Sequence, residues 1–339
     1  MGGCSSGFRN RFPFHRVPDM NGDGISPHGK YSYGYASTQG RREHMEDISD
    51  ARTGTVSGQV IGYFAVYDGH GGKKAAEYLK DHLYNIIIGH PSFFIDTTTA
   101  LEESYNKMDE ELLSTRIVED GSTASTVIIF QNQFFVAHIG DSRVVISRRD
   151  KEGIAITKDH RPDLTEERVR IEAAGGQVTF KGTWRINDKI AISRAFGDRH
   201  LKRFVVPVPD IVEEVIDESL EFIIIASDGL WDTLSNQEAV DIVKSKEDDM
   251  KEAASLLMLK SGSNDNTEKD FGWEYGMRNR SSQSSGFFFG DVHGMRYRFN
   301  RYWQQELGAC QMFASYVIEW LRRSLLRRYS IVNLPERHC

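Results

Sequence analysis

The stretch VIGYFAVYDGHGG, residues 60–72, decides the fold, because an apolar run stops at Asp68 and passes directly into a glycine-rich turn. A short run rich in β-branched and aromatic residues predicts a buried strand. The same pattern recurs in VAHIGDSR, which places Asp141 after an apolar run, and in FIIIASDGLWD, which contains Asp228 and Asp232. Carboxylates at several converging strand ends supply the oxygen ligands that hard divalent cations such as Mg²⁺ and Mn²⁺ prefer. The sequence therefore predicts a divalent metal site.

A second acidic motif lies upstream, where GRREHMEDISD contains the adjacent pair Glu46 and Asp47. Two further carboxylates enlarge the predicted ligand set. Together the acidic motifs indicate a metal-dependent hydrolase.

Composition limits the function classes. The 339 residues are 39% hydrophobic, enough for one large domain or two small ones with a substantial core. A net charge of −7 gives no reason to expect nucleic-acid binding. Three cysteines make no disulfide framework, and no run approaches the ~20 apolar residues of a membrane-spanning helix. We expect a cytoplasmic protein.

The first residues, MGGCSS, fit the N-myristoylation pattern, with Gly2 exposed once Met1 is removed. Cys4 is then a candidate for palmitoylation. Two acyl chains anchor a protein stably, whereas a single myristoyl chain binds only marginally. The sequence thus predicts peripheral attachment to the inner face of the plasma membrane, with an ordinary disordered terminus as the alternative.

Periodicity predicts helices over residues 72–88 and 99–113, a third helix with Thr165 as its N-cap, and a fourth whose capping box pairs Ser235 with Glu238. Residues 125–149 suggest a β-meander of three apolar segments. The motif DMNGDG, which begins at Asp19, imitates the start of an EF-hand but lacks the closing glutamate, so a polar linker is favoured. The order of elements favours antiparallel sheets with helices packed outside.

Six motifs lie in register along the chain: GRREHMEDISD (40–50), YDGHGG (67–72), GSTAS (121–125), HIGDSR (138–143), ISRAFGD (192–198) and SDGLWD (227–232). Such a set is far more specific than any single glycine-containing match. In these motifs the chain resembles the metal-dependent Ser/Thr protein phosphatases of the type 2C family, and a plant-like member of it.

The resemblance implies an α+β fold, a β-sandwich of two antiparallel sheets flanked by helices in α-β-β-α layers, with two Mg²⁺ or Mn²⁺ ions at one end. Asp68 would bridge both ions. The carbonyl of Gly69, with Glu46, would complete one site, and Asp228 would bind the other ion. Asp141 matches a position that helps to bind a further, weaker metal, but it could equally hold a turn through nearby backbone N–H groups.

The same two alternatives apply to Asp232. For the reaction, the resemblance implies that Asp47 orients the attacking water, that Arg42 grips the substrate phosphate and that His70 protonates the leaving oxygen. The chemistry of these side chains agrees. The planar guanidinium of Arg42 can donate two parallel hydrogen bonds to a phosphate, and an imidazole at His70 can donate a proton.

The C-terminal part departs from the family pattern. The family ends its domain with an Asp-Asn pair, here Asp265 and Asn266, followed by a β-branched final strand, but Thr267 precedes charged residues and no strand is predicted there. We therefore expect a flexible segment over residues 1–30, a phosphatase domain over 31–267 without its final strand, and a divergent tail over 268–339. Asp265 is a candidate metal ligand.

Periodicity in that tail predicts a basic amphipathic helix over residues 309–328, which could lie on an anionic membrane, bind a partner or patch the sheet. A sequence of no selected function is the alternative.

The predicted activity is hydrolysis of phosphoserine and phosphothreonine in proteins by water activated between two metal ions. A catalytically weak or inactive variant that binds phosphoproteins is the alternative, because the C-terminal ligand and strand are altered. Expected partners are phosphorylated proteins, with kinases as further candidates, and we expect a monomer.

Overall fold

The computed structural model describes residues 20–40, 42–115, 119–149, 152–246, 249–263 and 312–320. Short 3₁₀ turns occupy Pro27–Gly29 and Arg199–Leu201. The described helices are α1 (Lys74–Ile88), α2 (Thr97–Ser114), α3 (Thr165–Ala173), α4 (Asp228–Trp231), α5 (Asn236–Lys244) and α6 (Met250–Ser263). The described strands are β1 (Met20–Ile25), β2 (Tyr31–Thr38), β3 (Ile48–Val56), β4 (Gln59–Tyr67), β5 (Gly69–His70), β6 (Gly121–Ser122), β7 (Ala124–Phe130), β8 (Gln133–Ile139), β9 (Arg143–Arg148), β10 (Ile154–Ala155), β11 (Val178–Lys181), β12 (Thr183–Ile186), β13 (Phe196–Gly197), β14 (Asp210–Val215), β15 (Leu220–Ala226) and β16 (Met312–Trp320).

Two antiparallel sheets form a sandwich. One has the strand order β14-β8-β7-β4-β3, and the other has the order β1-β2-β16-β15-β9-β10. Strand β4 shows how the sequence separates the layers, because alternate side chains of a strand point to opposite faces. Phe64 and Val66 pack between the sheets against Ile223 and Ile225 of β15. Tyr63, on the opposite face, packs under the helices.

Helices cover both outer faces of the sandwich. Helices α1 and α2 pack on the first sheet through buried residues such as Leu79, Leu83 and Tyr105. Helices α4, α5 and α6 cover the second sheet, where Val240 and Leu257 contact the outer face of β15. The predicted α+β sandwich with α-β-β-α layers is therefore confirmed.

A separate small layer lies beside the sandwich and is called the flap below; it comprises α3, the β11–β12 hairpin and the segment 187–206. Its own core contains Ile171, Val178, Ile186 and Val205. A three-stranded sheet in the order β13-β6-β5 joins the end of the flap to the end of the sandwich. This junction places flap residues opposite the strand ends of the sandwich.

The predicted helices are confirmed with small shifts in their bounds. The first begins at Lys74, and the second spans Thr97–Ser114. Thr165 is the first helical residue of α3, while Leu164 occupies the N-cap position where Thr165 was expected. The capping box is present as predicted, because Ser235 accepts a hydrogen bond from the Glu238 backbone and Glu238 accepts one in return. None of the described helices combines the length and apolar character needed to cross a bilayer.

The N-terminal boundary differs from the prediction. Residues 20–25, expected within a flexible linker over 1–30, form β1 and pair with β2 from Met20↔Ser37 to Ile25↔Ser32. The segment MNGDGI has weak strand propensity, so tertiary pairing overrides the local signal. Its glycines admit two aromatic rings, since a Cβ on Gly22 or Gly24 would lie within 2.6 Å of the Tyr35 or Tyr33 side chain.

The tail prediction is wrong over residues 312–320. Instead of part of a helix over 309–328, these residues form β16, which lies between β15 and β2 and is antiparallel to both. The sandwich therefore has a strand at the position where the sequence suggested a missing one. The segment MFASYVIEW is rich in aromatic and β-branched residues, and without it β2 and β15 would leave backbone groups unpaired. Short apolar segments fit helical and strand patterns alike, which explains the error.

The predicted β-meander is only half present. Strands β7 and β8 form a hairpin, but the chain then crosses to the other sheet, where β9 pairs with β15. The crossing occurs at Gly140, whose φ of +103° only glycine adopts readily. This crossing puts Asp141 at the end of the sandwich, between the two sheets.

Candidate metal centre and active site

Three strand ends bring three aspartates together at one end of the sandwich. Asp68 follows β4, Asp141 follows β8 and Asp228 follows β15. Each offers a carboxylate oxygen, and these oxygens all lie within 4.8 Å of one another. The prediction that these aspartates converge is confirmed by the geometry.

The cluster concentrates negative charge in a half-buried place. Burial raises the pKa of Asp68 well above its usual range, and the nearby charges of Asp47, Asp228 and Asp141 raise it further. Burial and the charge of Asp228 likewise raise the pKa of Asp141. Within the described ranges, no ion pair with lysine, arginine or histidine includes Asp68, Asp141 or Asp228. Carboxylates in such an arrangement fit cations of the hard, oxygen-binding type.

Asp47, in the GRREHMEDISD motif, contacts this cluster. It is buried, and its Oδ2 accepts a hydrogen bond of 2.7 Å from the Oγ of Ser227. Burial raises the pKa of Asp47, while the hydrogen bond from Ser227 opposes that rise. Glu46, half-buried, lines the same cavity, as does Gly69.

Arg42 supplies positive charge at the exposed edge of the cavity. A side chain holds its backbone in place, since Nε2 of Gln39 donates hydrogen bonds of 3.0 Å to the carbonyl oxygens of Arg42 and Glu43. Burial raises the pKa of Asp228, then the charge of Asp47 raises it further, and the charge of Arg42 opposes both effects. The guanidinium is therefore near enough to affect the acidic cluster.

Asp232 lies one turn beyond Asp228, where its backbone N–H donates to the Asp228 carbonyl at 2.7 Å. The residue is exposed, yet partial burial of its carboxyl and the charge of Asp228 raise its pKa to about 6. It borders the same cavity as the three clustered aspartates but is not part of their group.

His70 borders the cavity from β5. Its Nε2 lies 2.8 Å from Oδ2 of Asp198, at the end of the ISRAFGD motif. His70 was selected from the sequence as a site residue but Asp198 was not, and it was quoted only as the last residue of ISRAFGD.

The hydrogen bonds that hold Asp68 in place were also not predicted from the sequence. The backbone N–H of Asp68 donates to Oγ1 of Thr123 at 3.2 Å, and the N–H of Thr123 donates to the Asp68 carbonyl at 2.9 Å. Oγ1 of Thr123 further shares a hydrogen bond of 3.0 Å with buried Ser142. Thr123 lies in the GSTAS motif, but only the fold brings its hydrogen-bond partners, Asp68 and Ser142, next to it.

The cavity has a volume of about 630 Å³. The acidic residues form one wall, and the flap forms the other with Arg185, Lys189, Ile190 and Ile192 among its lining residues. An anionic centre with cationic side chains around it suits metal ions together with a phosphate group.

Three predicted positions lie outside the described residues. They are the lipidation candidates Gly2 and Cys4 and the metal-ligand candidate Asp265.

Comparison with known proteins agrees with this geometry. The family profile for protein phosphatase 2C matches residues 31–270. A rice protein described as probable protein phosphatase 2C 45 is 50% identical over 251 residues, covering 73% of this chain and 89% of that protein. The Arabidopsis thaliana probable protein phosphatase 2C 59 is 50% identical over 252 residues, covering 73% and 81% respectively.

Among solved structures, a serine-threonine phosphatase 2C from Toxoplasma gondii superposes with a TM-score of 0.70 at 20% identity, covering 90% of this chain and 99% of that one. At that identity the likeness concerns the fold alone. The family profile and the plant relatives extend it to sequence, so the chain belongs to the protein phosphatase 2C family of metal-dependent Ser/Thr protein phosphatases.

Proposed function

We propose that the acidic cavity hydrolyses phosphoserine and phosphothreonine in proteins and uses two Mg²⁺ or Mn²⁺ ions. The observation that carries this proposal is the convergence of Asp68, Asp141 and Asp228 within 4.8 Å, in a cavity that Arg42 and His70 also line. The donor set is all oxygen, as these cations require.

In this proposal Asp68 would contribute a ligand to both ions. Gly69, through its carbonyl, and Glu46 would complete one site, and Asp228 would hold the second ion. Asp141 and Asp232 are proposed to hold a further, weaker ion, and Asp265 remains a proposed ligand from sequence. When bound, the ions activate the attacking water and neutralise charge on the phosphoryl oxygens.

The protein's own side chains position the reactants. Arg42 binds the phosphoryl oxygens through its planar fork, and Asp47 accepts a hydrogen bond from the attacking water and so orients it. As the water oxygen bonds to phosphorus, the electron pair of the ester P–O bond moves to the serine or threonine oxygen. That oxygen takes a proton from His70, so the alcohol leaves neutral. The product phosphate keeps one proton of the water and releases the other to solvent, which restores the proton that His70 gives up. No covalent enzyme intermediate is required.

Hydrolysis of a phosphothreonine peptide tests the assignment. We expect turnover that depends on Mn²⁺ and that falls about 100-fold or more in Asp68→Asn. Asp81→Asn, on the exposed side of α1, is the matched control and is expected to keep full activity. Wild-type protein that is folded and binds phosphopeptide without turnover would favour the inactive, phosphoprotein-binding alternative. The expected absence of a final strand was one reason for that alternative. That reason no longer holds, because β16 is present between β2 and β15.

We propose further that Gly2 and Cys4 are acylated and hold the protein at the inner face of the plasma membrane. The support is the MGGCSS sequence, and three arginines within the first sixteen residues would add attraction to anionic lipids. Gly2→Ala should move the protein from the membrane to the soluble fraction of a cell lysate. Retention at the membrane would exclude acylation as the tether and direct attention to the tail outside β16.

The proposed partners are phosphorylated proteins, including kinases that carry phosphoserine or phosphothreonine, and the proposed state is a monomer. A sedimentation experiment on the full chain tests the latter, since a single species of about twice the chain mass would contradict it.

A further inference from the structure

His70 and Asp198 form a hydrogen-bonded pair at the junction of sandwich and flap. Nε2 of His70 lies 2.8 Å from Oδ2 of Asp198, and their side chains are 30% and 10% exposed. Both residues line the cavity. The pair thus joins the candidate proton donor to a carboxylate that holds no proposed metal ion.

The small sheet β13-β6-β5 explains why the two residues meet. His70 pairs with Gly121 of β6, and Gly121 pairs with Gly197, the residue before Asp198. A Cβ on Gly121 would lie 2.4 Å from both His70 Nε2 and Asp198 Oδ2. Glycine at this position leaves room for the hydrogen bond, whereas a side chain there would clash with both residues.

The backbone of Asp198 is itself unusual. Its φ and ψ are 49° and 45°, in the left-handed region that L-residues other than glycine rarely adopt. Two hydrogen bonds hold it there, from Asp198 N–H to the Asp120 carbonyl at 3.3 Å and from Leu201 N–H to the Asp198 carbonyl at 2.7 Å. Strain of this kind concentrates at functional sites, and here it accompanies a carboxylate aimed at His70.

We propose that Asp198 is a positioning residue for His70 in the hydrolysis of alkyl phosphoesters. Its carboxylate accepts a hydrogen bond from Nε2–H, which fixes the orientation of the ring and leaves Nδ1 as the nitrogen that serves the substrate. The proton transferred to the leaving oxygen then comes from Nδ1. The Nδ1–H bond breaks, the O–H bond forms, and the ring ends as the Nε2–H tautomer that Asp198 favours. This inference rests on the proposed role of His70.

Leaving-group dependence separates this role from a structural one. A phosphothreonine peptide expels an alkoxide and needs a proton, whereas para-nitrophenyl phosphate expels a stable phenolate and needs little help. Asp198→Ala should lower kcat on the peptide about 100-fold and on the aryl phosphate by less than about 3-fold, within the range of general acid catalysis. Asp198→Asn keeps an acceptor and tolerates the left-handed backbone, so we expect a smaller loss on the peptide.

A double-mutant cycle tests the link to His70. In a His70→Ala background, Asp198→Asn should cause no further loss on the peptide, because the effect acts through the missing ring. Glu119→Ala is the matched control, since it breaks the exposed His200–Glu119 pair at 3.0 Å and should leave both substrates unaffected.

Two results would overturn the inference: equal losses on both substrates, or losses that add to that of His70→Ala. If Asp198→Ala fails to fold, the cycle with Asp198→Asn decides the question alone. Wild-type protein that hydrolyses neither substrate would instead refute the proposed function, so the two failures are distinguishable.

Discussion

Oγ of Ser227 donates a hydrogen bond of 2.7 Å to Oδ2 of Asp47, across 180 residues of sequence. Both side chains are buried, at 1% and 7% exposure. Ser227 follows β15 in one sheet, and Asp47 precedes β3 in the other. One hydrogen bond therefore joins the two sheets at the metal centre and fixes the carboxylate that is proposed to orient water.

Removing this hydrogen bond should reduce activity without unfolding the protein. Ser227→Ala leaves Oδ2 of Asp47 without its donor, so the pKa of Asp47, already raised by burial, rises further. We expect kcat to fall about 10-fold and the free energy of unfolding to fall by about 1–2 kcal/mol. Peptide turnover and urea denaturation measure the two effects. Unchanged kcat would show that Asp47 needs no positioning by Ser227.

Without metal, the acidic cluster should destabilise the fold. Burial and the charge of Asp47 raise the pKa of Asp228, so its ionised form is disfavoured in the folded state at neutral pH. In EDTA, we expect Asp228→Asn to be more stable than wild type by about 1 kcal/mol, and the difference should shrink as pH falls because wild-type Asp228 takes up a proton.

Thermal denaturation at pH 8 and pH 6 checks the sign of this effect. Added Mn²⁺ should reverse the order, since a ligand that binds only the folded state stabilises it. Asp228→Asn that is less stable than wild type in EDTA would contradict the account of charge repulsion.

The features that could be predicted from the sequence are those that depend on residues close together in the chain. Asp68, Asp141 and Asp228 stand at the ends of apolar runs, and the Ser235–Glu238 capping box is complete within four residues, so each has a local signal. The layered architecture followed from the order of these elements together with the family motifs.

The sequence could not predict what depends on distant pairing. Strand β1, MNGDGI, has glycine and polar residues at its four central positions and pairs along the edge of β2, and β16 is separated from α6 by 48 residues. The hydrogen bonds Ser227–Asp47 and His70–Asp198 join different motifs, and no spacing rule relates them. In each case tertiary contacts outweigh the local preference.

Strand β16 should contribute substantially to stability. Val317 pairs with Ile224 on one side and with Gly34 on the other, so its backbone lies at the centre of a sheet. Val317→Pro removes an N–H donor there and should lower the free energy of unfolding by about 3 kcal/mol or more. Val317→Thr keeps the N–H and the β-branch and is the control, expected within about 1 kcal/mol of wild type. Equal stability of the proline variant and wild type in urea would show that β16 is dispensable.

Glu167, in helix α3 of the flap, should make the stability of the protein fall as the pH becomes acidic. Burial alone would raise the pKa of Glu167, but hydrogen bonds from Arg194 and Arg170 at 2.7 Å outweigh it and lower the pKa from 4.5 to about 2. A depressed folded-state pKa gives stability that is complete above the unfolded value of 4.5 and is lost as pH falls toward 2.

We therefore expect Glu167→Gln to cost about 2–3 kcal/mol at pH 7 and progressively less between pH 5 and pH 3. Glu172→Gln, on the exposed side of α3, is the control and should change stability by less than about 0.5 kcal/mol. A difference between wild type and Glu167→Gln that stays constant across this pH range would contradict the assignment.

Isothermal titration calorimetry with Mn²⁺ tests the central claim most directly, because it detects binding at the acidic cluster independently of turnover. Wild-type protein is predicted to bind at least two ions, and Asp68→Asn to lose the shared ligand and most of the heat of binding. No detectable Mn²⁺ binding by folded wild-type protein, or the same binding isotherm for Asp68→Asn, would contradict a metal centre built on Asp68.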